Sequence, residues 1–381
     1  MIPYGKHTID EADVESVIEV LRNQFLTQGT VVPKFEQALC NYSGASHAVA
    51  VNSATSGLHI ACLAAGVGQG DIVWTVPNSF VASANCALFC GANVDFVDID
   101  SATRNIDVVA LEHKLVGAAQ RNELPKALIV VHFSGFSCDM QSIQTLCAAY
   151  DTVVIEDAAH ALGGEYQGRK IGCCQYSAMT VLSFHPVKSI TTAEGGAVLT
   201  NNAPLASKLQ LYAKHGVTRD PALMQGENHG PWYYQQVELG YNYRLSDLHA
   251  ALGITQLQKL DAFVAKRRLM AQRYKQQLAD LPLTLPCEDS YANSAWHIYM
   301  VELQQHERLD IYQRLHARGV GVNVHYIPIH LQPYYQALGF KAGDFPLAEQ
   351  FYQHALTLPL FPSMTEQEQN TVIAVLHEVL A

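Results

Sequence analysis

The stretch ALIVVH, residues 127–132, is apolar at five consecutive positions. A strand with one face in water alternates apolar and polar residues, so an unbroken run predicts a strand covered on both faces. Similar β-rich runs recur at 48–51, 71–76, 94–99, 152–157, 178–184 and 197–200, with helix-like segments such as 57–65 and 140–149 between them. Strands alternating with helices predict an α/β fold built on a mixed, mainly parallel sheet of seven strands.

The flanks extend this plan. Residues 8–21 carry Val14, Val17, Ile18 and Leu21 at helical spacing behind Asp10, Glu11 and Asp13, which predicts a helix packed on the sheet or on a partner. Residues 245–278 read as one long helix opened by Ser246 and Asp247, long enough to bridge two domains. Beyond 281 the pattern changes to strands at 295–303 and 320–327, a helix from Asp310 and two closing helices, the last opened by the Thr365/Glu368 capping box. The expected division is a large α/β domain over 1–245 and a linker helix with a small α+β domain over 246–381.

Composition narrows the function classes. Charged residues are only 15% of the chain, yet no apolar run nears the ~18 residues that suggest a membrane span. The acidic start has no signal-peptide pattern, so a cytoplasmic protein is expected. A net charge of -11 argues against a nucleic-acid surface, and nine cysteines without a C-x-x-C pair predict reduced thiols.

In an open α/β sheet, ligands sit beyond the carboxyl ends of the strands. VNSATSG, 51–57, leads from a strand into a helix through small hydroxyl residues, which suits either a phosphate site or an ordinary N-cap. IEDAAH, 155–160, ends a strand in Glu156-Asp157, with His160 three positions on. SFHPVKSITTAEGG, 183–196, places Lys188 in a stretch where no other Lys, Arg, Asp or Glu occurs between Lys170 and Glu194. A desolvated lysine loses its proton more readily and so suits Schiff-base chemistry; a solvated surface lysine is the plainer reading. GVGQGD, 66–71, precedes a strand and is a poor dinucleotide motif. A metal site from His132, His160 and His185 has no supporting ligand spacing, so no metal is expected.

With these residues in this order the chain resembles the fold-type-I pyridoxal-phosphate enzymes, and more closely the DegT/DnrJ/EryC1/StrS nucleotide-sugar aminotransferases. The likeness runs through FLTQG at Phe25, VNSATSGLH at Val51, PNSFVASANCALFCGANVDFVDID at Pro77, HFSG at His132, IEDAAHALGG at Ile155, SFHPVKSITTAEGG at Ser183, GYNYRLSDLHAALG at Gly240 and GVNVHYIPIHLQPYY at Gly321. Within the family, HGPWYYQQVELGYNYRLSD and NVHYIPIHLQPYY are most similar to members that aminate C4 of a UDP-linked 2-acetamido-2,6-dideoxy-4-keto-hexose on the route to pseudaminic acid.

The resemblance implies pyridoxal phosphate held covalently by Lys188, with Asp157 on the pyridine nitrogen, His160 beside the ring and Phe80 stacked on it. It implies a phosphate held by Ala54, Thr55, Ser56 and Ser183, with Asn242, or its rival Arg244, reaching over from the second subunit of a homodimer. Tyr4, Leu26, Thr27, Asn323, His325 and Tyr326 are the implied substrate contacts, with a UDP-linked 4-keto sugar and L-glutamate as partners. Another sugar specificity, or a cofactor-binding regulator without turnover, are the alternatives. Two departures stand out: Ala193 replaces a common glycine, and HFSGFSCDM lacks the usual small residue and proline. Both predict local loop adjustment only.

Overall fold

The computed structural model describes residues 1–287 and 291–380. Its centre is a seven-stranded sheet. The strands are β1 (His47–Val51), β2 (Ile72–Thr75), β3 (Asn93–Phe96), β4 (Ala127–Val131), β5 (Val153–Asp157), β6 (Met179–Ser183) and β7 (Gly196–Thr200), in the spatial order β1-β7-β6-β5-β4-β2-β3. β7 runs antiparallel to β1 and β6, and the other pairings are parallel. The sheet thus follows the expected mixed, mostly parallel plan.

Helices α1 (Glu11–Asn23), α2 (Val31–Ser43), α3 (Ala54–Ala64), α4 (Ala82–Phe89), α5 (Val108–Arg121), α6 (Met140–Ala148), α7 (Ala203–Ala213) and α8 (Asp247–Gln277) surround it. The consecutive apolar runs now have their cause. Leu128 and Val130 of β4 join a core with α2, α5, α6 and α8, while Ala127 and Ile129 join another with α3, α4 and α7. Alternate residues of a strand face opposite ways, so burial on both faces requires apolar side chains at every position.

α1, expected on the sheet or on a partner, docks on α8 instead of the sheet. Its start is a reciprocal cap between Asp10 and Asp13, and it docks on α8 through buried Asp13, which accepts from Thr255 Oγ1 (2.6 Å), Gln256 Nε2 (2.8 Å) and Lys259 Nζ (2.8 Å). Val14 and Leu21 stay exposed. The acid determines the docking face because a buried carboxylate needs its donors, and α8 supplies them.

Asp247 does similar work at the start of α8, where α2 docks. Thr30 caps α2 with no side-chain bond, and the fully buried Asp247 carboxylate instead accepts from the amides of Gly29 (2.8 Å), Val31 (2.8 Å) and Val32 (3.1 Å). Its charge also suits the positive end of the α2 dipole. Asp247→Ala is expected to lower the unfolding free energy by about 2–3 kcal/mol, read from the urea midpoint at unchanged slope.

The C-terminal part has its own core, built from the second half of α8, helices α9 (Arg308–Ala317) and α10 (Glu366–Leu380), and a sheet of β8 (Leu283–Thr284), β9 (Tyr299–Leu303) and β10 (Ala355–Leu358) in the order β8-β9-β10. α8 therefore contributes to both halves, with Leu257 and Leu260 in one core and Met270 and Tyr274 in the other. Thr365 and Glu368 form the expected box ahead of α10.

The strand expected at 320–327 is absent as such: only isolated bridges form, at Val320 with Ile2 and at Asn323 with Thr357. The edge of β9 is taken by Ala355–Leu358, four buried residues that the sequence reading passed over. Residues 324–328 are left as a loop, which brings His325 and Tyr326 to the sheet's carboxyl edge. The expected strand at 295–303 begins only at Tyr299, because Ala295 and His297 bond to the 134–135 loop instead. Among the described residues no helix is long and apolar enough to cross a membrane.

Candidate active site

A cavity of about 370 Å³ opens where β5 and β6 end and α3 begins. Lys188 lies in its wall, on the loop leaving β6. That loop closes on itself: Phe184 donates to Gly195 O (2.9 Å) and its carbonyl accepts from the Thr192 amide (2.9 Å). Ala193 adopts a positive φ of 65°, stabilised by a bond from its amide to Thr191 Oγ1 (2.9 Å). This left-handed backbone is the physical reason a glycine is the easier residue there. Burial of the Lys188 ammonium brings its pKa down to about 8, against the attraction of Asp157.

Asp157 ends β5 facing the cavity and accepts from Ser83 Oγ (2.6 Å) and from the Ala159 amide (3.2 Å). Ser83 is in turn paired with Ser79 Oγ at 2.7 Å. Its neighbour Glu156 is engaged elsewhere. There His132 Nε2 donates to Glu156 at 2.7 Å while Cys138 N–H donates to His132 Nδ1 at 3.2 Å, a pattern that assigns the neutral tautomer. Burial would raise the Glu156 pKa, but His132, Ser177 and Thr180 together hold it below the ordinary value.

Three imidazoles face the lysine. His160 Nε2 meets Tyr326 Oη at 3.2 Å, and its ring lies 4.5 Å from that of His297. His325 Nδ1 bonds Thr357 Oγ1 (2.8 Å), and its ring sits 5.4 Å from that of Tyr4. Burial first, and the Lys188 charge second, push His160 and His297 well below the ordinary imidazole value and His325 to about 4. All three are neutral near pH 7. His132 is spent on Glu156 and His185 is exposed, and among the described residues no His, Cys, Asp or Glu cluster is placed to hold a metal ion.

The start of α3 forms a cradle. Ser53 Oγ caps the Ser56 amide (3.1 Å), leaving the amides of Ala54 and Thr55 without intrahelical partners at the positive end of the dipole. The cradle is tight against β7: a Cβ at Gly196 would stand 2.6 Å from Ala54 N and 2.7 Å from Ser53 C. Gly196→Ala is expected to cost about 1–3 kcal/mol and to weaken retention of pyridoxal phosphate, measured by thermal melting and equilibrium dialysis.

Of the residues anticipated from sequence, Tyr4, Ala54, Thr55, Phe80, Asp157, His160, Ser183, Lys188, His325 and Tyr326 line this cavity. Ser56 does not; its hydroxyl is turned to Asn52 Oδ1 at 2.7 Å. Leu26 and Thr27 are exposed on the turn whose Leu26 carbonyl accepts from the Asp247 amide. Asn323 stands behind the wall, 3.4 Å from His325 Nε2, while Asn242 is exposed and Arg244 half-buried, both outside the cavity. Ser53, read in the sequence only as part of the 51–57 stretch, lines it too, and Ser83 and His297 line it without having been anticipated. SFVASAN carried a signal for Ser83, a hydroxyl on an otherwise apolar helix, whereas His297 sits in a strand-like run that gave none.

Pyridoxal phosphate fits this donor set. The cradle offers amides to a phosphate, Asp157 offers a carboxylate to a ring nitrogen, and the buried His160 Nδ1 has no partner among the described residues. Phe80 stays 58% exposed at the cavity, an apolar face that a stacked ring would cover.

Known proteins agree. The chain is 38% identical to the UDP-4-amino-4,6-dideoxy-N-acetyl-beta-L-altrosamine transaminase of Campylobacter jejuni, over 100% of this chain and 98% of the relative. It is 36% identical to the spore coat polysaccharide biosynthesis protein SpsC of Bacillus subtilis, over 100% and 97%. Among solved structures, Helicobacter pylori PseC, an aminotransferase involved in the biosynthesis of pseudoaminic acid, superposes with a TM-score of 0.89 at 32% identity, covering 100% of this chain and 99% of that one. A Streptococcus pneumoniae sugar aminotransferase in its PLP form gives 0.89 at 27% identity, with 100% of both chains covered. The DegT/DnrJ/EryC1/StrS aminotransferase family matches residues 7–377, so the chain belongs to that family and is a pyridoxal-phosphate-dependent aminotransferase of fold type I.

Proposed function

We propose that the enzyme moves the amino group of L-glutamate to C4 of UDP-2-acetamido-2,6-dideoxy-β-L-arabino-hexos-4-ulose, giving UDP-4-amino-4,6-dideoxy-N-acetyl-β-L-altrosamine. The observation that carries the amino transfer is Lys188, an amine with a pKa of about 8 in a cavity that also holds Asp157. The sugar is supported by the C. jejuni relative, whose likeness extends over the whole chain.

The bound cofactor would supply an electron sink that makes the α-proton of the amino donor labile and lets a proton be delivered to C4 of the keto sugar. In this reading the chain supplies the rest. Asp157, held by Ser83 and the Ala159 amide, keeps a negative charge at the ring-nitrogen end of the cavity. Lys188 Nζ takes and returns a proton, which a group with a pKa near the working pH does well. The neutral imidazoles of His160, His297 and His325 add no second positive charge beside it. Tyr4, His325 and Tyr326 form a polar and aromatic wall suited to sugar hydroxyls.

The test of substrate is a panel of UDP- and dTDP-linked 4-keto sugars assayed with glutamate. Strong amination of another sugar and none of the UDP-N-acetyl substrate would overturn the choice. SpsC, at 36% identity and named for spore coat polysaccharide, supports a different nucleotide sugar as the second reading.

A pH effect follows from Lys188. Only the unprotonated amine attacks the cofactor aldehyde, and that form increases as pH rises through about 8. Capture of pyridoxal phosphate by the apoprotein should therefore accelerate from pH 6.5 to 8.5 and then level off, followed by stopped-flow absorbance.

The proposed assembly is a homodimer with shared sites. Trp232, Tyr234 and Leu239 are exposed on and beside the arm closed by Val217–Thr218 and Gln235–Gln236, and Phe25 and Leu26 are exposed as well. Such apolar surface marks an interaction face. Asn242 lies outside its own chain's cavity, which suits a contact with the other copy's cofactor phosphate. Sedimentation equilibrium reads the assembly directly.

A further inference from the structure

α8 carries a charge where a charge is hard to keep. Arg267 is 1% exposed and, among the described residues, no carboxylate pairs with it. Its guanidinium instead donates to the carbonyl oxygens of Trp296 (3.3 Å), His297 (2.9 Å) and Leu360 (2.8 Å), and its Nε finds no partner. Burial alone pulls its pKa down to about 10. An apolar side chain of similar volume would fill the space without the desolvation cost, so packing does not account for an arginine here.

Two of the gripped carbonyls lead to the cavity wall. His297 lines it, and the Leu360 amide donates to the carbonyl of Tyr4 (3.0 Å), which lines it too. The 295–297 segment is held on its other side by the loop after β4, with Ala295 N–H on Gly135 O (3.0 Å) and His297 N–H on Ser134 O (2.9 Å). Neighbouring Arg268 adds Nε–H on Ser294 O (3.0 Å). At the end of this scaffold is an imidazole with a free hydrogen-bonding atom: among the described residues His297 Nδ1 is buried and unpartnered, as is His160 Nδ1, while both ring nitrogens of His325 are engaged.

We propose that Arg267 is a positioning residue of the active site: by holding the Trp296, His297 and Leu360 carbonyls together it fixes the Tyr4–His297 wall, and His297 is the substrate-side imidazole that it places. The inference rests on the amino-transfer reaction and not on which sugar is used. All three bonds leave Nη1, a nitrogen fixed in the plane of the guanidinium, whereas lysine offers a rotatable point charge with three donors. Displacements of about 1 Å at such a wall cost on the order of 100-fold in rate.

The experiment compares holoenzymes carrying Arg267→Met, Arg267→Lys, His297→Ala and the Arg267→Met/His297→Ala pair. Melting temperature and borohydride-fixed cofactor at Lys188 are measured beside kcat and KM for the best sugar of the panel and the saturation constant of the glutamate half-reaction. Arg267→Met is expected to stay folded and cofactor-loaded while kcat/KM falls on the order of 10- to 100-fold, mostly through KM. Arg267→Lys recovers part of that loss. In the double variant, Arg267→Met adds less than about threefold to the effect of His297→Ala, because the two act through one contact.

Wild-type kinetics in Arg267→Met, or full additivity in the pair, overturns the proposal. His297→Ala leaves the grip on the backbone intact, so unchanged KM and half-reaction constants in that variant overturn it even where Arg267→Met does not fold. A wild type that completes the glutamate half-reaction but aminates no sugar refutes the sugar reading alone, and the grip is then read from the half-reaction.

Discussion

Lys188→Ala is expected to lower kcat by at least on the order of 10⁴-fold, the combined loss of a covalent anchor and of the group that shuttles the proton. The variant should still bind pyridoxal phosphate, because the α3 amides and Asp157 do not depend on the lysine, but borohydride should no longer fix the cofactor to the chain. Lys188→Arg should be as inactive. A guanidinium stays protonated at any working pH and so can neither attack an aldehyde nor accept a proton. The measurement is the glutamate half-reaction followed by cofactor absorbance in a single turnover. A Lys188→Ala enzyme that completed it at more than about a tenth of the normal rate would sink the assignment.

Asp157→Asn has the second largest expected effect. Substitution keeps the shape and the Ser83 contact but deletes the charge, and breaking a buried charge interaction costs about 3–5 kcal/mol, on the order of 10²- to 10⁴-fold in kcat. It also has a signature that a packing defect lacks. Asp157 raises the Lys188 pKa against burial, so its removal should move the Lys188 titration below about 8 in the cofactor-free protein. Chemical labelling of the amine against pH reads this directly. Ser83→Ala should follow with a milder loss of about tenfold, the value of one hydrogen bond to a charged group. An unshifted lysine titration in Asp157→Asn would mean that the two groups do not sense each other.

Much of the site was legible because it is written locally. A strand buried on both faces shows in a few residues, and the groups at its end are the next in line; Asp157 after β5, Ser183 and Lys188 after β6, and Ala54 and Thr55 after β1 were readable in that way. Less local features escaped. The acid of α1 chose α8 over the sheet through partners more than 240 residues away. The 320–327 segment had strand-like composition, but the edge it would have used was filled by Ala355–Leu358. Composition carries no record of competition for an edge.

The sequence by itself determined the sheet, since periodicity is a property of short windows, and through its resemblance the family and the cofactor; it also marked Lys188 and Asp157 as candidate reacting groups. Only the tertiary structure decided what surrounds them. Ser83 reaches Asp157 across 74 positions, Tyr326 reaches His160 across 166, and Arg267 reaches Leu360 across 93. Contacts of that span are set by how helices and loops stack on the sheet, so the partners that shift the Lys188 pKa and shape the substrate wall exist only once the chain has folded.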